Sequence, residues 1–316
     1  MPEGDSVYRA AALLRDALAG KVITRSDLRV PRFATADLTG RTVLGVASRG
    51  KHLLIRFGPA SDLDATRDPA TPLTLHTHLR MDGAWRVLPA SGSGTTATTA
   101  PTSPTDTPAE TAGNAETESP AKAAEAARTT KAARTSGPAG PAHEIRVILA
   151  TAAHTAVGYR LPVVELIRTA DEHRAVGHLG PDLLGPDWDE EVAAANLLAT
   201  PERPLGEALL DQRNLAGIGN VYKCELCFLA RLTPWTPVGD IPPATLPRLA
   251  AAAHRLLDAN KDRRRNTTGS HRPGRELFVY GRRRRPCLLC GTPVREAPQD
   301  DRPTYWCPRC QSGPTP

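Results

Sequence analysis

The sequence predicts an α+β protein with a β-rich first domain, a helical second domain and a short cysteine-bearing ribbon at the C-terminus. Three observations lead to this prediction. Short stretches of alternating and β-branched residues fill the first half, helical patterns follow from about Val164, and all six cysteines fall in Cys-x-x-Cys pairs. A length of 316 residues agrees with about two domains of roughly 150 residues each.

The chain begins MPEGDSVYRA, and its first helix is predicted over residues 5–20. Asp5 or Ser6 is a suitable N-cap, and Gly20 lies where a C-cap belongs. The apolar residues between them recur at spacings of four, three and four, which is typical of one buried helix face.

Pro2 and Glu3 lie ahead of that cap, and the helix does not account for them. A small second residue normally allows the cell to remove Met1. Pro2 is then expected to be a free secondary amine at the chain terminus, with a carboxyl group one residue away. A free α-amino group has an ordinary pKa of about 7.7–8.0, so a useful fraction is unprotonated near neutral pH and can act as a nucleophile.

Five short stretches predict strands of the first domain. They read HLLIRF, TLHTHLRM, WRVL, EIRVILAT and AVGYRL. Residues 91–142 interrupt them with a segment dominated by Ala, Thr, Pro, Ser and Gly, without any aromatic residue, Leu, Ile or Val. Such a segment buries too little apolar area to offset its ordering entropy, so we predict a disordered insertion within a long hairpin.

The pattern becomes helical from about Val164. Asp187 or Asp189 is a suitable cap for a helix in WDEEVAAANLLA, and Pro204 suits the start of another in LGEALLDQ. A Gly-x-Gly-Asn turn leads into a helix in NLAGIGNVYKCELCFLARL, and a last helix is predicted in LPRLAAAAHRLLDAN. The predicted boundaries are 1–163 for the first domain, 164–273 for the helical domain and 274–316 for the ribbon.

Basic residues concentrate near the C-terminus. The whole chain has a formal net charge of +6, whereas residues 261–285 contain ten basic side chains against two acidic ones. A concentrated basic patch is typical of a polyanion partner, most often a nucleic acid. No apolar run approaches the roughly 20 residues of a membrane span, and no signal-peptide stretch is visible, so we expect a cytoplasmic protein without a membrane partner.

Four of the six cysteines have the spacing of a zinc ribbon, C-x2-C-x16-C-x2-C. Four thiolates leave no open position on the metal, so one structural zinc ion is predicted. Its ligands are Cys287, Cys290, Cys307 and Cys310. Cys224 and Cys227 lie on one face of a predicted helix, where small buried side chains are expected, with a redox or second-metal role as the alternative.

Two histidines alternate in the predicted strand LHTHL, at positions 76 and 78. Alternate residues of a strand lie on the same face, so His76 and His78 have the placement of a metal-binding pair. Because no third ligand lies near them in the sequence, we expect both to be structural.

The chain resembles the formamidopyrimidine/endonuclease VIII family of bifunctional DNA glycosylases. The resemblance rests on four motifs in the family's order, namely the N-terminal PEG, the Gly-Lys of RGKHLL, the turn LAGIGN and the four-cysteine finger. It covers essentially the whole chain except residues 91–142. It implies an N-terminal β-sandwich, a helix–two-turn–helix domain and a zinc finger, with damaged DNA bound between the two main domains. We also expect a monomer that is associated with the nucleoid when it is bound to DNA.

The resemblance also assigns catalytic roles. Pro2 matches the nucleophile and Glu3 the acid that works beside it. Lys51, in RGKHLL, matches the hairpin lysine that contacts phosphate and assists catalysis. Arg302, in DRPTYWC, matches the finger arginine that binds the phosphates flanking the lesion, and it is the fourth of the expected catalytic residues.

DNA-binding roles follow in the same way. Asn220, in GIGN, matches a residue that binds backbone phosphate, and Arg302 is expected to bind DNA as well. Met81, in HLRMDG, falls at the wedge that fills the hole left by the flipped nucleotide. A damaged base cannot be reached inside the stack, so extrusion at a cost of about a few kcal/mol is required. An unbranched apolar side chain such as Met81 suits insertion into the vacated space.

The motifs favour the endonuclease VIII branch. The purine-directed branch carries a later wedge in a Pro-Arg-Arg-Phe-Gly-like stretch, and the corresponding residues here read YRLPVVELI, whereas GAWRV and RPTYWCPRCQ resemble endonuclease VIII. We therefore expect excision of oxidised pyrimidines through a Schiff base at Pro2, followed by β,δ-elimination. The alternatives are a purine-directed glycosylase and a catalytically silent DNA-binding paralogue. Ser6 stands where the branch has a second glutamate, which puts the expected proton relay in doubt.

Overall fold

The computed structural model describes residues 2–60, 71–90 and 140–316. All but the last three residues of the predicted insertion at 91–142 lie outside these ranges. Among the helices in the described ranges, none has the length and apolar character needed to span a bilayer.

The first domain consists of helix α1 (Gly4–Leu18) and, within the described ranges, eight strands. The strands are β1 (Arg25–Leu28), β2 (Arg41–Arg49), β3 (His52–Ala60), β4 (Leu73–His78), β5 (Ala84–Pro89), β6 (Ile145–Ala150), β7 (His154–Tyr159) and β8 (Val163–Arg168). They form two antiparallel sheets with the strand orders β1-β6-β7-β5 and β2-β3-β4-β8.

Both sheets and α1 contribute to one apolar core, which makes this domain a sandwich. Leu149 of β6, Phe57 of β3 and Leu14 of α1 are fully buried in it. The cap of α1 differs from the prediction, because Glu3 is the N-cap residue and Asp5 lies inside the first turn. The Asp5 carboxylate does not cap the helix and binds Arg265 instead.

The strand pairing around the insertion and the end of the second sheet also differ from the prediction. β5 and β6, which flank the insertion, are not paired with each other, because β7 lies between them. The insertion therefore joins two strands of one sheet that are not neighbours, rather than the two arms of a hairpin. Strand β8 begins at Val163 and pairs with β4. The sheet β2-β3-β4-β8 therefore continues past the predicted boundary at 163 to Arg168.

Helices build the middle of the chain. They are α2 (Glu172–Val176), α3 (Glu190–Leu198), α4 (Leu205–Leu210), α5 (Asn220–Leu229) and α6 (Thr245–Asn260). Of the two possible caps for α3, the structure uses Asp189, whose Oδ1 accepts hydrogen bonds from the backbone N–H groups of Glu191 and Val192. α4 begins directly after Pro204, as the sequence predicts.

The C-terminal ribbon contains the hairpin β9 (Arg295–Gln299) and β10 (Arg302–Trp306). It packs against α5, since Cys224 and Phe228 of that helix share an apolar cluster with Val279 and Val294. The predicted α+β architecture of sandwich, helical domain and cysteine ribbon is confirmed. Helix α5 lies between the N-terminal segment and the ribbon, and both contact it.

Candidate active site

A cavity of about 540 Å³ opens where the three parts of the chain meet. Five of the residues singled out in the sequence line it, namely Pro2, Lys51, Met81, Asn220 and Arg302. They come from the N-terminus, the β2–β3 turn, the loop after β4, the first residue of α5 and the first residue of β10. The tertiary structure thus gathers residues that are far apart in the sequence.

Glu3 is fully buried, and its carboxylate binds the N-terminus of α5. The two carboxylate oxygens accept hydrogen bonds from the backbone N–H groups of Gly219 at 2.9 Å, Val221 at 2.8 Å and Tyr222 at 3.3 Å. N–H groups at a helix start have no partner within the helix, and the positive end of the helix dipole attracts an anion. The helical domain therefore fixes Glu3, and with it the segment that carries Pro2.

The Gly-x-Gly-Asn turn provides the space for this contact. A Cβ atom on Gly219 would lie 2.5 Å from the carboxyl carbon of Glu3, which is too close for any side chain. Gly217 has a φ of +117°, and its carbonyl oxygen accepts a hydrogen bond from the backbone N–H of Gly4 at 2.9 Å. Both glycines are needed because the N-terminal segment lies directly against the backbone of this turn.

The turn that carries Lys51 is also held by the helical domain. Gly50 has a φ of +57°, and its backbone N–H donates to Oδ2 of Asp182 at 2.8 Å. A Cβ atom on Gly50 would lie 2.9 Å from that of Ala216. The close approach of the two domains at this point therefore requires glycine before Lys51.

The electrostatic surroundings of Lys51 favour its neutral amine. Burial lowers the pKa of Lys51 from 10.5 to about 8. The Glu3 carboxylate opposes this effect, whereas the cations Arg302 and Arg265 act in the same direction as burial. An amine with this pKa exchanges protons readily near physiological pH, which suits a group that assists proton transfer.

We expect the Lys51 amine to titrate near pH 8, and its pKa to rise in an Arg302→Gln chain because a neighbouring cation has been removed. Reductive methylation with ¹³C-formaldehyde followed by NMR titration measures this midpoint, and a Lys51→Arg chain identifies the resonance. Arg283→Gln, an exposed finger substitution outside the cavity, is the matched control and should leave the midpoint in place. A midpoint close to 10.5 in the unsubstituted protein contradicts this account of the site.

Helix α5 and the ribbon are joined at the edge of the cavity. Nδ2 of Asn220 donates to the Pro303 carbonyl oxygen at 2.8 Å, and Nζ of Lys223 donates to Oγ1 of Thr304 at 2.6 Å. Arg302 directly precedes Pro303 and Thr304 in the sequence, is exposed and lines the cavity. The amide of Asn220 thus holds the strand that presents Arg302.

Met81 has the exposure that a wedge requires, with 60% of its surface accessible. The turn before it is unusual, since Arg80 has a φ of +45° and its backbone N–H donates to Nδ1 of His78 at 2.9 Å. The turn is closed by a hydrogen bond from the N–H of Gly83 to the carbonyl oxygen of Leu79 at 2.8 Å. Met81 is therefore presented to the cavity from a defined loop.

His78 lines the cavity, although the sequence predicted only a structural role. Burial, helped by the nearby Lys51 cation, lowers the pKa of His78 to about 4, so the imidazole is neutral near pH 7. His76 has structural surroundings, as predicted, with Nδ1 at 2.9 Å from Oε2 of Glu165 and Nε2 at 2.8 Å from Nδ1 of His52. The position of His78 shortly before Met81 is the sequence signal that distinguishes the two histidines.

Asp5 and Arg265 form an ion pair beside Glu3. Nε of Arg265 donates to Oδ2 of Asp5 at 3.0 Å, and Nη2 donates to the other carboxylate oxygen. Nη1 lies 3.6 Å from Oε1 of Glu3. The hydroxyl of Ser6 donates to Oδ1 of Asp5 at 3.2 Å. The basic composition of residues 261–285 indicated a polyanion partner, but it did not reveal that one of these arginines pairs with the N-terminal acids.

The four predicted zinc ligands meet in the ribbon, with their sulfur atoms all within 4.8 Å of one another. The sulfur atoms of Cys287 and Cys310 are 3.9 Å apart, and those of Cys290 and Cys307 are 3.5 Å apart. Thiolates on a tetrahedral zinc ion at about 2.3 Å lie about 3.8 Å from each other, so this arrangement fits a closed zinc site. Among the described residues no other set of three or more ligating side chains meets in this way. The predicted structural zinc ion is confirmed.

Cys224 and Cys227 are fully buried in apolar clusters and take no part in the metal site. The Cys224 sulfur accepts a hydrogen bond from the backbone N–H of Tyr305 at 3.5 Å. Burial raises the pKa of Cys224 to about 12 and also raises that of Cys227, so both thiols remain protonated. These surroundings match the packing role expected from the sequence.

Replacement of Cys310 by serine is expected to remove the zinc ion and to weaken DNA binding on the order of tenfold or more, because the hairpin that carries Arg302 loses its support. Elemental analysis and fluorescence anisotropy with an abasic-site duplex measure the two effects. Cys227→Ala is the matched control, since it removes a buried thiol outside the metal site. Two zinc ions per chain, or an unchanged affinity in Cys310→Ser, contradict this expectation.

Three family models match the chain. The model described as formamidopyrimidine-DNA glycosylase N-terminal domain matches residues 1–132, and the one described as formamidopyrimidine-DNA glycosylase H2TH domain matches residues 179–270. A zinc finger found in FPG and IleRS matches residues 285–313. The matched segments contain all the residues that line the cavity and all four metal ligands.

Relatives align with the chain over nearly their full length. Probable endonuclease 8 2 from Streptomyces coelicolor is 56% identical over 100% of this chain and 96% of its own length. The DNA-(apurinic or apyrimidinic site) lyase Nei2 of Mycolicibacterium smegmatis is 42% identical over 99% of both chains. A crystal structure of Lactococcus lactis formamidopyrimidine-DNA glycosylase bound to DNA with an AP site is 21% identical, with a TM-score of 0.66, and the match covers 98% of this chain and 100% of that one. At this identity the structural match shows a shared fold.

Proposed function

The chain belongs to the formamidopyrimidine-DNA glycosylase and endonuclease VIII family, and from this premise we propose that it removes damaged bases from DNA and cleaves the strand at the resulting abasic site. One observation carries this proposal. The cavity brings Pro2 together with Lys51, Asn220 and Arg302, while Glu3 is fixed beside it. An amine, a carboxyl group and cations that can bind phosphate are the groups that this chemistry requires.

In the proposed first step, the secondary amine of Pro2, freed by removal of Met1, attacks C1′ of the flipped nucleotide. The bond between C1′ and the base breaks, and the base leaves with its bonding electrons and takes up a proton, which balances the proton that the Pro2 nitrogen loses once it is bonded to C1′. Glu3 protonates the sugar oxygen as the ring opens, and a cationic iminium between Pro2 and C1′ results. Because the proline nitrogen then has no hydrogen left to lose, the iminium keeps its charge.

The same cation accounts for strand cleavage. It withdraws electrons from C2′, so a base can remove a C2′ proton and the C3′–oxygen bond breaks. In a second elimination a C4′ proton is removed and the C5′–oxygen bond breaks, and hydrolysis of the iminium then releases Pro2. Lys51 lines the cavity and, with its lowered pKa, is suited to assist these proton transfers. The name of the Mycolicibacterium smegmatis relative, an abasic-site lyase, supports this step.

We further propose oxidised pyrimidines as the substrates. The stretch that carries a second wedge in the purine-directed branch forms parts of β7 and β8, with Tyr159, Leu161 and Val164 buried. Met81 is thus the apolar side chain that lines the cavity and is exposed enough to enter the DNA stack. A single wedge holds the opposite strand loosely, and ring-saturated pyrimidines stack poorly and cost least to flip.

Single-turnover excision is expected to be at least about tenfold faster for thymine glycol or dihydrouracil than for 8-oxoguanine paired with cytosine, since a tenfold difference needs only about 1.4 kcal/mol in the barrier. Appreciable activity on single-stranded DNA and tolerance of the opposite base are also expected. Met81→Ala is expected to slow excision from duplex DNA more than from single strands. A clear preference for the 8-oxoguanine duplex moves the protein to the purine-directed branch and leaves the chemistry of Pro2 unchanged.

We also propose that the protein acts as a monomer, because Pro2, Lys51, Asn220 and Arg302 already meet in one cavity without a second copy, and that it associates with the nucleoid, because its proposed substrate is damaged DNA. A catalytically silent DNA-binding paralogue is the remaining alternative. Such a protein binds abasic DNA but forms no covalent adduct with it when borohydride is added. Adduct formation by the unsubstituted protein therefore separates the enzyme from the silent paralogue.

A further inference from the structure

Two acidic side chains of the N-terminal segment are completely buried. Glu3 and Asp5 both have 0% side-chain exposure, and the Arg265 side chain, with 14%, is the cation that contacts both. Removing a carboxylate from water is unfavourable unless hydrogen bonds and an opposite charge compensate for the loss. Glu3 has its hydrogen bonds to α5, whereas Asp5 accepts one from the backbone N–H of Ser6 at 2.7 Å and has Arg265 as its charged partner.

The guanidinium of Arg265 is held in one orientation. It binds Asp5 through two nitrogens, and its Cζ lies 4.7 Å from the centre of the Tyr222 ring. The Tyr222 hydroxyl donates to Oδ2 of Asp5 at 3.2 Å, so the ring and the carboxylate hold the guanidinium together. A planar group bound in this bidentate way has little freedom to rotate.

The loop that carries Arg265 is itself anchored at the end of α6. The backbone N–H of Asn266 donates to Oδ1 of Asn260 at 2.9 Å, and Nη1 of Arg9 donates to the Asn260 carbonyl oxygen at 2.5 Å. Arg9 belongs to α1, so the first helix of the chain and the end of α6 are bound to each other around this pair. Arg265 is therefore part of a built support and not a free surface arginine.

We propose that Arg265 is a positioning residue for the reaction, whose guanidinium, oriented by Asp5, holds Glu3 and the Pro2 amine in their reactive placement. This inference rests on the proposed role of Pro2 as the nucleophile. Arg265 does not line the cavity, so it acts through Glu3. Asp5 binds Nε and Nη2, so only Nη1 faces Glu3, at 3.6 Å from Oε1. This distance is longer than a hydrogen bond, so Arg265 attracts Glu3 by its charge. The Glu3 oxygens therefore remain free to accept the hydrogen bonds from α5.

The pair also explains how the chain manages without a glutamate at position 6. Ser6 donates to Asp5 and lies 3.4 Å from Nη2 of Arg265, so its hydroxyl completes the same network. The ordering of the N-terminal turn is thus provided by an ion pair with a distant loop. The expected contribution is to geometry, since a displacement of about 1 Å at a reacting group can slow a reaction about 100-fold.

The test uses the double substitution Asp5→Asn with Arg265→Gln, which removes both charges and leaves no buried carboxylate at position 5 unpaired. Borohydride trapping on an abasic-site duplex under single-turnover conditions is expected to slow by about 10- to 100-fold, while the Kd for that duplex stays within about twofold. The matched control is Arg56→Gln with Glu172→Gln, which removes another bidentate ion pair away from the cavity. In that pair Nε and Nη2 of Arg56 each donate to a Glu172 carboxylate oxygen at 2.7 Å. The control is expected to trap at the parental rate.

A second variant covers the case in which the neutral pair fails to fold. Arg265→Lys keeps the buried positive charge but replaces the planar fork with a point charge, so a smaller loss of rate with unchanged Kd is expected. Parental trapping rates in a folded double variant, or in Arg265→Lys when the double variant does not fold, overturn the positioning role. Absence of any adduct in the unsubstituted protein overturns the proposed function itself, together with this inference.

Discussion

A chain that retains Met1, or that carries one added residue ahead of Pro2, is expected to form no covalent adduct with abasic DNA in the presence of borohydride. Either change converts the secondary amine of Pro2 into an amide, whose nitrogen lone pair is delocalised and no longer nucleophilic. The expected loss is complete within the detection limit of the gel, because the proposed reaction has no other entry. Peptide mapping of the adduct formed by the unmodified chain is expected to locate it at residue 2.

DNA binding provides the control for this experiment. The added residue leaves Lys51, Asn220 and Arg302 in place, so the Kd for an uncleavable abasic analogue is expected to change little. Pro2→Gly retains a free but primary amine and is expected to trap at a reduced rate. An adduct that maps to Lys51, or trapping that persists in the extended chain, contradicts the assignment of Pro2.

Glu3→Gln is expected to slow base excision by a factor on the order of 10²–10⁴, the usual contribution of a positioned acid–base group. The substitution keeps the volume of the side chain but removes the group that protonates the sugar oxygen. A pre-formed abasic site needs no departing base and already exists partly as an open-chain aldehyde, so adduct formation on such DNA is expected to persist. Comparing excision and trapping rates on the two substrates measures this separation.

Stability requires its own control here, because the amide that replaces the Glu3 carboxylate has only one acceptor oxygen for three backbone N–H groups. Glu225→Gln is the matched variant. Glu225 is also fully buried, and its carboxylate accepts hydrogen bonds from the backbone N–H groups of Phe278, Val279 and Tyr280, outside the cavity. Loss of one buried acceptor costs about 1–3 kcal/mol in either chain, so both are expected to melt earlier while only Glu3→Gln loses excision. Equal loss of excision in both variants contradicts a catalytic role for Glu3.

Features that depend on local spacing could be predicted from the sequence. The helix start at Asp187 or Asp189, the one at Pro204, the Gly-x-Gly-Asn turn before α5 and the four-cysteine ribbon all follow from residues near one another in the chain. Such patterns are readable because capping hydrogen bonds, helical periodicity and knuckle geometry involve neighbours in sequence. The order of these motifs along the chain is what indicates the family.

Sheet pairing could not be predicted in the same way. β5 and β6 flank the insertion and look like the arms of a hairpin, but each pairs with β7. Strand periodicity specifies which face of a strand is buried and says nothing about which strand lies beside it. The prediction of a helical region from about Val164 is also wrong at its start, because VVELIR forms β8, an edge strand whose partner β4 lies far away in the sequence.

The sequence alone determined the composition of the chain's parts: a β-rich domain, a helical domain, a zinc ribbon and an N-terminal proline and glutamate suited to amine chemistry. Only the tertiary structure decided which of these groups meet. Glu3 at the N-terminus of α5, Asp5 on Arg265 and His78 beside Met81 are contacts between distant segments. Their physical cause is the burial of charged and polar groups, each of which must find a partner wherever the packed domains place one. Local patterns indicate that such groups exist, and the packing of the domains selects their partners.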